Sequence, residues 1–271
     1  MSARNSKANK AAARERLRQE RERELKKAKA RRQLVVIGST VAVLALAGGI
    51  GYAVVQANQP SAWDEAKDAR TVTAPKNTSG THGTDVVIGE KSAKKTLELY
   101  EDSRCPSCAA FEQEVGETLK KDVDAGKYKV KYVGATFIDD VAQGEGSRNA
   151  LSALGAALDV SPDAFMDYKA ALYSKQFHPE ENADSFAKDS YMLEIAEAVP
   201  ALKNNAAFKK NVEEGTFDAW AMKMSKAFDD SGVKGTPTLR MDGKKVTAEG
   251  TQNPPMTVEQ FRASVDKALK G

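Results

Sequence analysis

An α/β domain with a mixed sheet, preceded by a single apolar membrane crossing, is the architecture this sequence predicts. Three observations predict it. An uncharged run of 22 residues occupies positions 34–55. Strand-like segments bracket a long stretch of helical spacing from about residue 144 to 230, the alternation of an α/β domain. A lone Cys-x-x-Cys pair, Cys105 and Cys108, sits where the first strands give way to a helix.

The 271 residues carry 41 Lys+Arg against 38 Asp+Glu, and the net +3 hides a polarised distribution. Residues 1–33 hold 13 Lys/Arg and 4 Glu, a balance of +9, leaving 28 basic and 34 acidic residues, a balance of −6, for the rest. That split excludes a uniformly basic nucleic-acid-binding domain. As a helix rising about 1.5 Å per residue, LVVIGSTVAVLALAGGIGYAVV spans the roughly 30 Å of bilayer hydrocarbon. Arg31 and Arg32 stand at its entry and nothing basic follows until Lys67. The positive-inside rule then keeps residues 1–33 in the cytoplasm and places residues 56–271 outside, in a single-pass cell-membrane protein. A cleaved signal peptide is the competing reading, with Val55 and Ala57 as its small-residue motif, but the run exceeds the roughly 7 to 15 apolar residues of a signal. The basic tail reads as a topology determinant; it lacks aromatics to stack on bases. Residues 56–84 scatter Pro60, Pro75, Gly80 and Gly83 among Ser, Thr and Asn without a period, and read as a flexible tether.

Residues 85–271 are enough chain to bury a sizeable core without covalent staples, so one domain is expected there. Val86–Ile88 and Thr96–Tyr100 read as the first two strands, the second ending in a polar turn. Phe111, Val115 and Leu119, spaced four apart, put one apolar stripe on a helix that begins at or near the cysteines. Tyr128–Val133 alternates and continues to Phe137 as a third strand. Then the period turns helical. Leu151, Leu154 and Leu158 share a face, and Ser161-Pro162-Asp163 caps a helix through Phe165, Tyr168 and Leu172. Further helices are expected at about Ser185–Ala198, Ala206–Val212 and Thr216–Phe228. β character returns at Pro237–Met241, and Asp242-Gly243 before Lys244–Val246 supplies the residues of a type I′ hairpin turn. Thr257-Val-Glu-Gln260 is a capping box for a final helix with Val258, Phe261, Val265 and Leu269 as its buried face; Met256 and Phe261 hold the staple positions.

The chemistry resides in the cysteine pair. Two cysteines placed at random in a chain of this length fall three apart in roughly 1 per cent of cases, so the spacing is informative by itself. A strand-to-helix junction puts Cys105 at a helix N-terminus, where unpaired N–H groups favour the thiolate. Cys105 is then the nucleophile and Cys108, one turn in, the resolving partner. A structural disulfide closing two intervening residues would constrain the unfolded chain little. A zinc site needs about four ligands, and the two histidines, His82 and His178, stand far from the pair, so no metal is expected. Ala109 after Cys108 excludes attached haem.

Tyr100-Glu-Asp-Ser-Arg-Cys-Pro-Ser-Cys108 resembles the active-site region of the DsbA-like branch of the thioredoxin superfamily, and Gly235-Thr-Pro-Thr238 resembles that superfamily's cis-proline loop. Between Cys108 and Pro237 lie 128 residues, more than a plain thioredoxin needs, and the excess is helical. The resemblance covers roughly residues 85–271. It implies a thioredoxin-like fold with a helical insertion at about 144–230, Pro106 and Ser107 as the motif between catalytic cysteines, a cis Pro237 facing the disulfide, and Thr236 offering backbone hydrogen bonds to a substrate peptide. The chain departs from the family in three places. Ser107 stands where the best-known oxidases carry His, which implies a less oxidising disulfide; Ser103 stands where an aromatic is common. The buried acid that assists proton transfer in thioredoxins falls near Leu99; the neighbouring Glu98 or Glu101 either substitutes for it or, the favoured reading, is a solvated charge. Arg104 either lowers the nucleophile's pKa or points to solvent.

The leading expectation is a membrane-anchored thiol:disulfide oxidoreductase, needing no cofactor, that donates its disulfide to exported proteins. A quinone-linked membrane reoxidase of the DsbB or VKOR type would restore it. The alternatives are a reductase or isomerase kept reduced by a membrane electron donor, and a non-catalytic tethered peptide-binding module.

Overall fold

The computed structural model describes residues 61–271 and, ahead of them, Lys27. The expected crossing at 34–55, and the basic tail apart from Lys27, lie outside the described residues. Among the described residues no helix is long and apolar enough to cross a membrane.

Strands β1 (Val86–Ile88), β2 (Thr96–Asp102), β3 (Lys129–Ala135), β4 (Thr238–Met241) and β5 (Lys244–Lys245) form one sheet in the order β1-β3-β2-β4-β5. Only the β2–β3 pair is parallel. Parallel neighbours need a crossover, and here it is α2 (Pro106–Phe111), a π-helical turn (Glu112–Gly116) and α3 (Glu117–Asp124). Between β3 and β4 the chain inserts α4 (Phe137–Val141), α5 (Gly146–Val160), α6 (Pro162–Leu172), α7 (Asp189–Ala196), α8 (Ala206–Glu213) and α9 (Asp218–Asp230). The inserted helices run from Phe137 to Asp230. Asp242 and Gly243 both take positive φ, at 52° and 76°, as the hairpin requires.

Side chains alternate along β2, so Leu99 and Glu101 share one face while Tyr100 and Asp102 share the other. The first face also carries Tyr132, paired opposite Leu99 and packed edge-on to Phe165 of α6 at 5.1 Å. On the second, Tyr100 meets Phe228 of α9 edge-on at 6.2 Å. The last helix, α10 (Val258–Lys270), buries Phe261 and Val265, with Phe261 edge-on to Phe111 of α2 at 6.1 Å. Thr257 caps it by accepting the Gln260 N–H at 3.3 Å. The Gln260 side chain accepts from Met256 N–H at 3.1 Å instead of from the cap residue, one position off a reciprocal box. Thr257→Ala is expected to lower stability by about 1 kcal/mol, read by denaturant unfolding.

Two expectations are corrected. β3 stops at Ala135 instead of reaching Phe137, because its partner β2 ends at Asp102, opposite Ala135. Beyond that point the backbone has no strand to pair with. It turns into α4, and the Ile138 N–H is satisfied by the Asp102 carboxylate at 3.1 Å.

The described part of the expected tether, residues 61–84, is folded onto the domain. Helix α1 (Ala62–Asp68) starts at a reciprocal Ser61/Asp64 capping box and buries Trp63. Further on, Lys76 N–H donates to Asp159 at 2.9 Å and Asn77 Nδ2 to the Leu158 carbonyl at 2.9 Å. Trp220 of α9 donates its indole N–H to the Gly83 carbonyl at 2.8 Å. The segment is held by polar contacts of Lys76 and Asn77, by the Gly83 carbonyl and by one tryptophan of its own, which leave no apolar period to read.

Candidate active site

Cys105 occupies the N-cap of α2 with extended backbone (φ −74°, ψ 117°), and Pro106 follows at the first helical position, where its missing N–H costs nothing. Pro106 and Ser107 are exposed, whereas Cys105 is 7% and Cys108 0% accessible. The Thr236–Pro237 peptide bond is cis. This brings the Thr236 carbonyl to the cysteine pair, where the Cys105 thiol donates to it at 3.5 Å. The two stretches that the sequence set 128 residues apart thus meet across the site.

The two thiols have opposite environments. Cys105 is lowered to about 6, chiefly because the Cys108 thiol donates a hydrogen bond to it; burial opposes this, and the Thr236 side chain and the N–H groups of Cys108 and Ser107 add to it. Cys108 is pushed well above the ordinary thiol range by burial first, then by Cys105 and the charge of Glu101. One sulfur is a thiolate at neutral pH and the other a thiol. Such asymmetry suits an attacking or attacked sulfur beside a resolving one.

Glu101 is not solvated. It is completely buried, and Lys169 of α6, itself 1% exposed in its side chain, reaches in to donate to Glu101 at 3.1 Å and to Glu112 at 2.5 Å. Burial raises Glu101 to about 7 against the pull of Lys169. Burial alone would lower Lys169, but the two carboxylates outweigh it and raise its pKa, so the amine stays charged. The Cβ that alanine would add at Gly116 would lie 2.5 Å from the Glu112 carboxyl carbon, so a glycine in the π-helical turn makes room for this acid. An open cleft of about 400 Å³ lined by Glu112, Gly116, Met166 and Ala170 leads to it from solvent.

Sequence reasoning missed this trio, although a signal existed. Leu97, Leu99 and Glu101 share one parity along β2, and the first two are core residues. Lys169 stands one turn after Phe165, on the face that α6 buries. Arg104 does not point to solvent. It is 1% exposed, donates to Asp139 at 2.9 Å and to the Glu181 carbonyl at 2.8 Å, and lies 3.2 Å from Asp184. Ser103 is buried too, and His178 donates its Nε2–H to the Ser103 carbonyl at 3.1 Å.

Comparison with known proteins places these observations. A family model described as Thioredoxin matches residues 81–267. The chain is 25% identical over 186 residues to the disulfide bond formation protein D of Bacillus subtilis, covering 68% of this chain and 77% of that protein. Two solved structures resemble it in fold. BdbD from Bacillus subtilis, oxidised, gives a TM-score of 0.56 at 23% identity over 73% of this chain and 99% of that one. Reduced DsbA from Mycobacterium tuberculosis gives 0.55 at 23% identity over 69% and 98%.

Proposed function

Because the chain belongs to the thioredoxin family and is a DsbA-like thiol:disulfide oxidoreductase, we propose that it works as an extracytoplasmic oxidase, donating the Cys105–Cys108 disulfide to exported proteins. The observation that carries the direction is the Cys105 pKa near 6. Interactions that favour the thiolate stabilise the reduced pair over the disulfide, and a stabilised reduced form makes the disulfide an electron acceptor.

The steps follow from the geometry. A substrate thiolate attacks Cys105 Sγ of the disulfide, forming a mixed disulfide and expelling Cys108 as a thiolate. Buried and with a raised pKa, Cys108 needs a proton, and Glu101, at about 7, is half-protonated near neutrality and supplies it. The substrate's second thiolate then attacks the substrate sulfur of the mixed disulfide. A substrate disulfide forms and Cys105 leaves as a thiolate. Glu101 then takes back a proton from solvent. The backbone of Thr236, beside Pro237, aligns the substrate strand by main-chain hydrogen bonds. Two electrons remain in the reduced pair, and a membrane-embedded, quinone-linked reoxidase removes them. Anchoring by residues 34–55, with the N-terminus cytoplasmic, keeps the enzyme near that partner.

The test is the redox potential against glutathione together with in-cell thiol trapping. An oxidase is expected between about −120 and −200 mV, with the pair mostly oxidised in the cell. A value near −270 mV, or a predominantly reduced pair, would show a reductase or isomerase. Alkylation of the reduced protein checks the thiolate: Cys105 should react with a pH midpoint near 6 while Cys108 stays inert.

A further inference from the structure

Every residue from Glu101 to Cys105 is buried, and the side chains and carbonyl of this approach to the nucleophile find their partners in residues 138–184. Asp102 accepts from Arg104 N–H at 3.0 Å, from Ile138 N–H of α4 at 3.1 Å and from the Ser147 hydroxyl of α5 at 2.6 Å. Asp139 takes the Arg104 guanidinium and also the N–H groups of Ser147 and Arg148, at 2.8 and 2.9 Å. Asp184 takes the N–H groups of Glu145 and Gly146, at 3.0 and 2.9 Å, while facing Arg104. The site is shaped for this guanidinium. A Cβ at Gly144 would lie 2.6 Å from Arg104 Nη1 and one at Gly146 3.2 Å from Arg104 Cδ.

The charges facing the turn are therefore Arg104, Asp102, Asp139 and Asp184, with Arg148 held at the outer side of Asp139 and by the exposed Asp140. His178 packs over Ser103, and burial lowers its pKa. Burial also raises Asp102 to about 7, and the carboxylates in contact with the Arg104 guanidinium are those of Asp139 and Asp184. Its guanidinium is engaged by these carboxylates and by the Glu181 carbonyl. A thiolate next in the chain is thereby spared two uncompensated carboxylates, which would raise its pKa.

We propose that Arg104 is a positioning residue through which the helical insertion tunes Cys105: it neutralises Asp139 and Asp184 behind the nucleophile and ties the Asp102–Cys105 turn to α4 and α5. This rests on Cys105 being the nucleophile, and it adds that residues outside the Cys-Pro-Ser-Cys loop set the loop's reactivity.

The test uses the full-length reduced protein in detergent, with Cys105 titrated by thiolate absorbance near 240 nm, a readout independent of catalysis and of its direction. Arg104→Met, which strips the counter-charge, is expected to raise the Cys105 midpoint by about one unit, tenfold in the acid constant. Asp184→Asn, which removes one carboxylate and keeps most of its shape, is expected to lower it by about half a unit. A merely structural role moves stability and leaves both midpoints in place, or moves them in the same direction; either result overturns the proposal. Should Arg104→Met fail to fold, an Asp184→Asn midpoint that does not fall overturns it alone. A wild-type protein without a thiolate below pH 8 would instead refute the assignment of Cys105, a distinguishable failure.

Discussion

Replacing Cys108 with alanine is expected to leave substrate proteins covalently held on Cys105, while replacing Cys105 abolishes both activity and adducts. The expectation follows from the division of labour between the sulfurs. Cys105, 7% accessible against 0% for Cys108, is the more exposed sulfur, seated at the helix N-cap beside the Thr236 carbonyl, and only it can enter a mixed disulfide. Cys108, fully buried, reaches no substrate and serves to break that adduct from within when a reaction stalls or runs in reverse. Without it Cys105 has no disulfide to donate, but its thiolate still attacks a disulfide of a substrate, expelling one substrate thiolate and holding the other sulfur, and no second sulfur in the enzyme remains to break that adduct. Non-reducing gels of the variant from cells, compared with the same samples reduced, read the outcome. Wild-type levels of adduct would show that Cys108 does not resolve them.

The second large effect concerns Lys169. Lys169→Met leaves Glu101 and Glu112 buried without their shared cation, a loss of about 3 to 5 kcal/mol by analogy with other broken buried pairs. Equilibrium unfolding in denaturant measures it. Replacing all three charges by apolar residues of similar volume should restore most of the stability, because a well-packed apolar cluster does not need the ions. The triple variant should nevertheless release Cys108 slowly, since its proton donor is gone. If it keeps full activity, the trio is structural only. The pH dependence has an unusual sign. Glu101 and Asp102 are carboxyl groups raised to about 7 in the fold, so the native state holds protons that the unfolded chain gives up above about 4. Their contribution is fully present below that pH and is lost as the pH rises to 7. Cys105 runs the other way: lowered to about 6, it favours the reduced fold increasingly as the pH climbs from there toward 9. Unfolding of the reduced protein should show both trends, and Cys105→Ser should remove only the upper one.

How much of this was legible follows the physics of each signal. The strand-to-helix position of Cys105, the hairpin at Asp242-Gly243 and the cap at Thr257 were readable because local backbone geometry demands particular residues there. The meeting of Pro237 with Cys105 came from resemblance, since no local rule links residues so far apart. Glu101 was misjudged because a charge in a strand is normally solvated, and its parity with Leu97 and Leu99 becomes decisive only once Lys169 is known to arrive from α6. The strap at residues 61–84 was unreadable for a related reason. Carbonyls such as that of Gly83, accepting from Trp220, are present in every residue and leave no mark in composition.

That strap changes the scale on which the enzyme operates. A tether of residues 56–84 could stretch to about 100 Å, but residues 61–84 are folded onto the domain and, under the proposed anchoring, add nothing to its reach. The area of membrane the active site would sweep from such an anchor falls roughly with the square of the remaining reach. A short leash raises the local concentration of any partner embedded beside it and denies contact to chains that have left the membrane surface. Under the proposed anchoring, the enzyme meets its substrates close to the membrane surface.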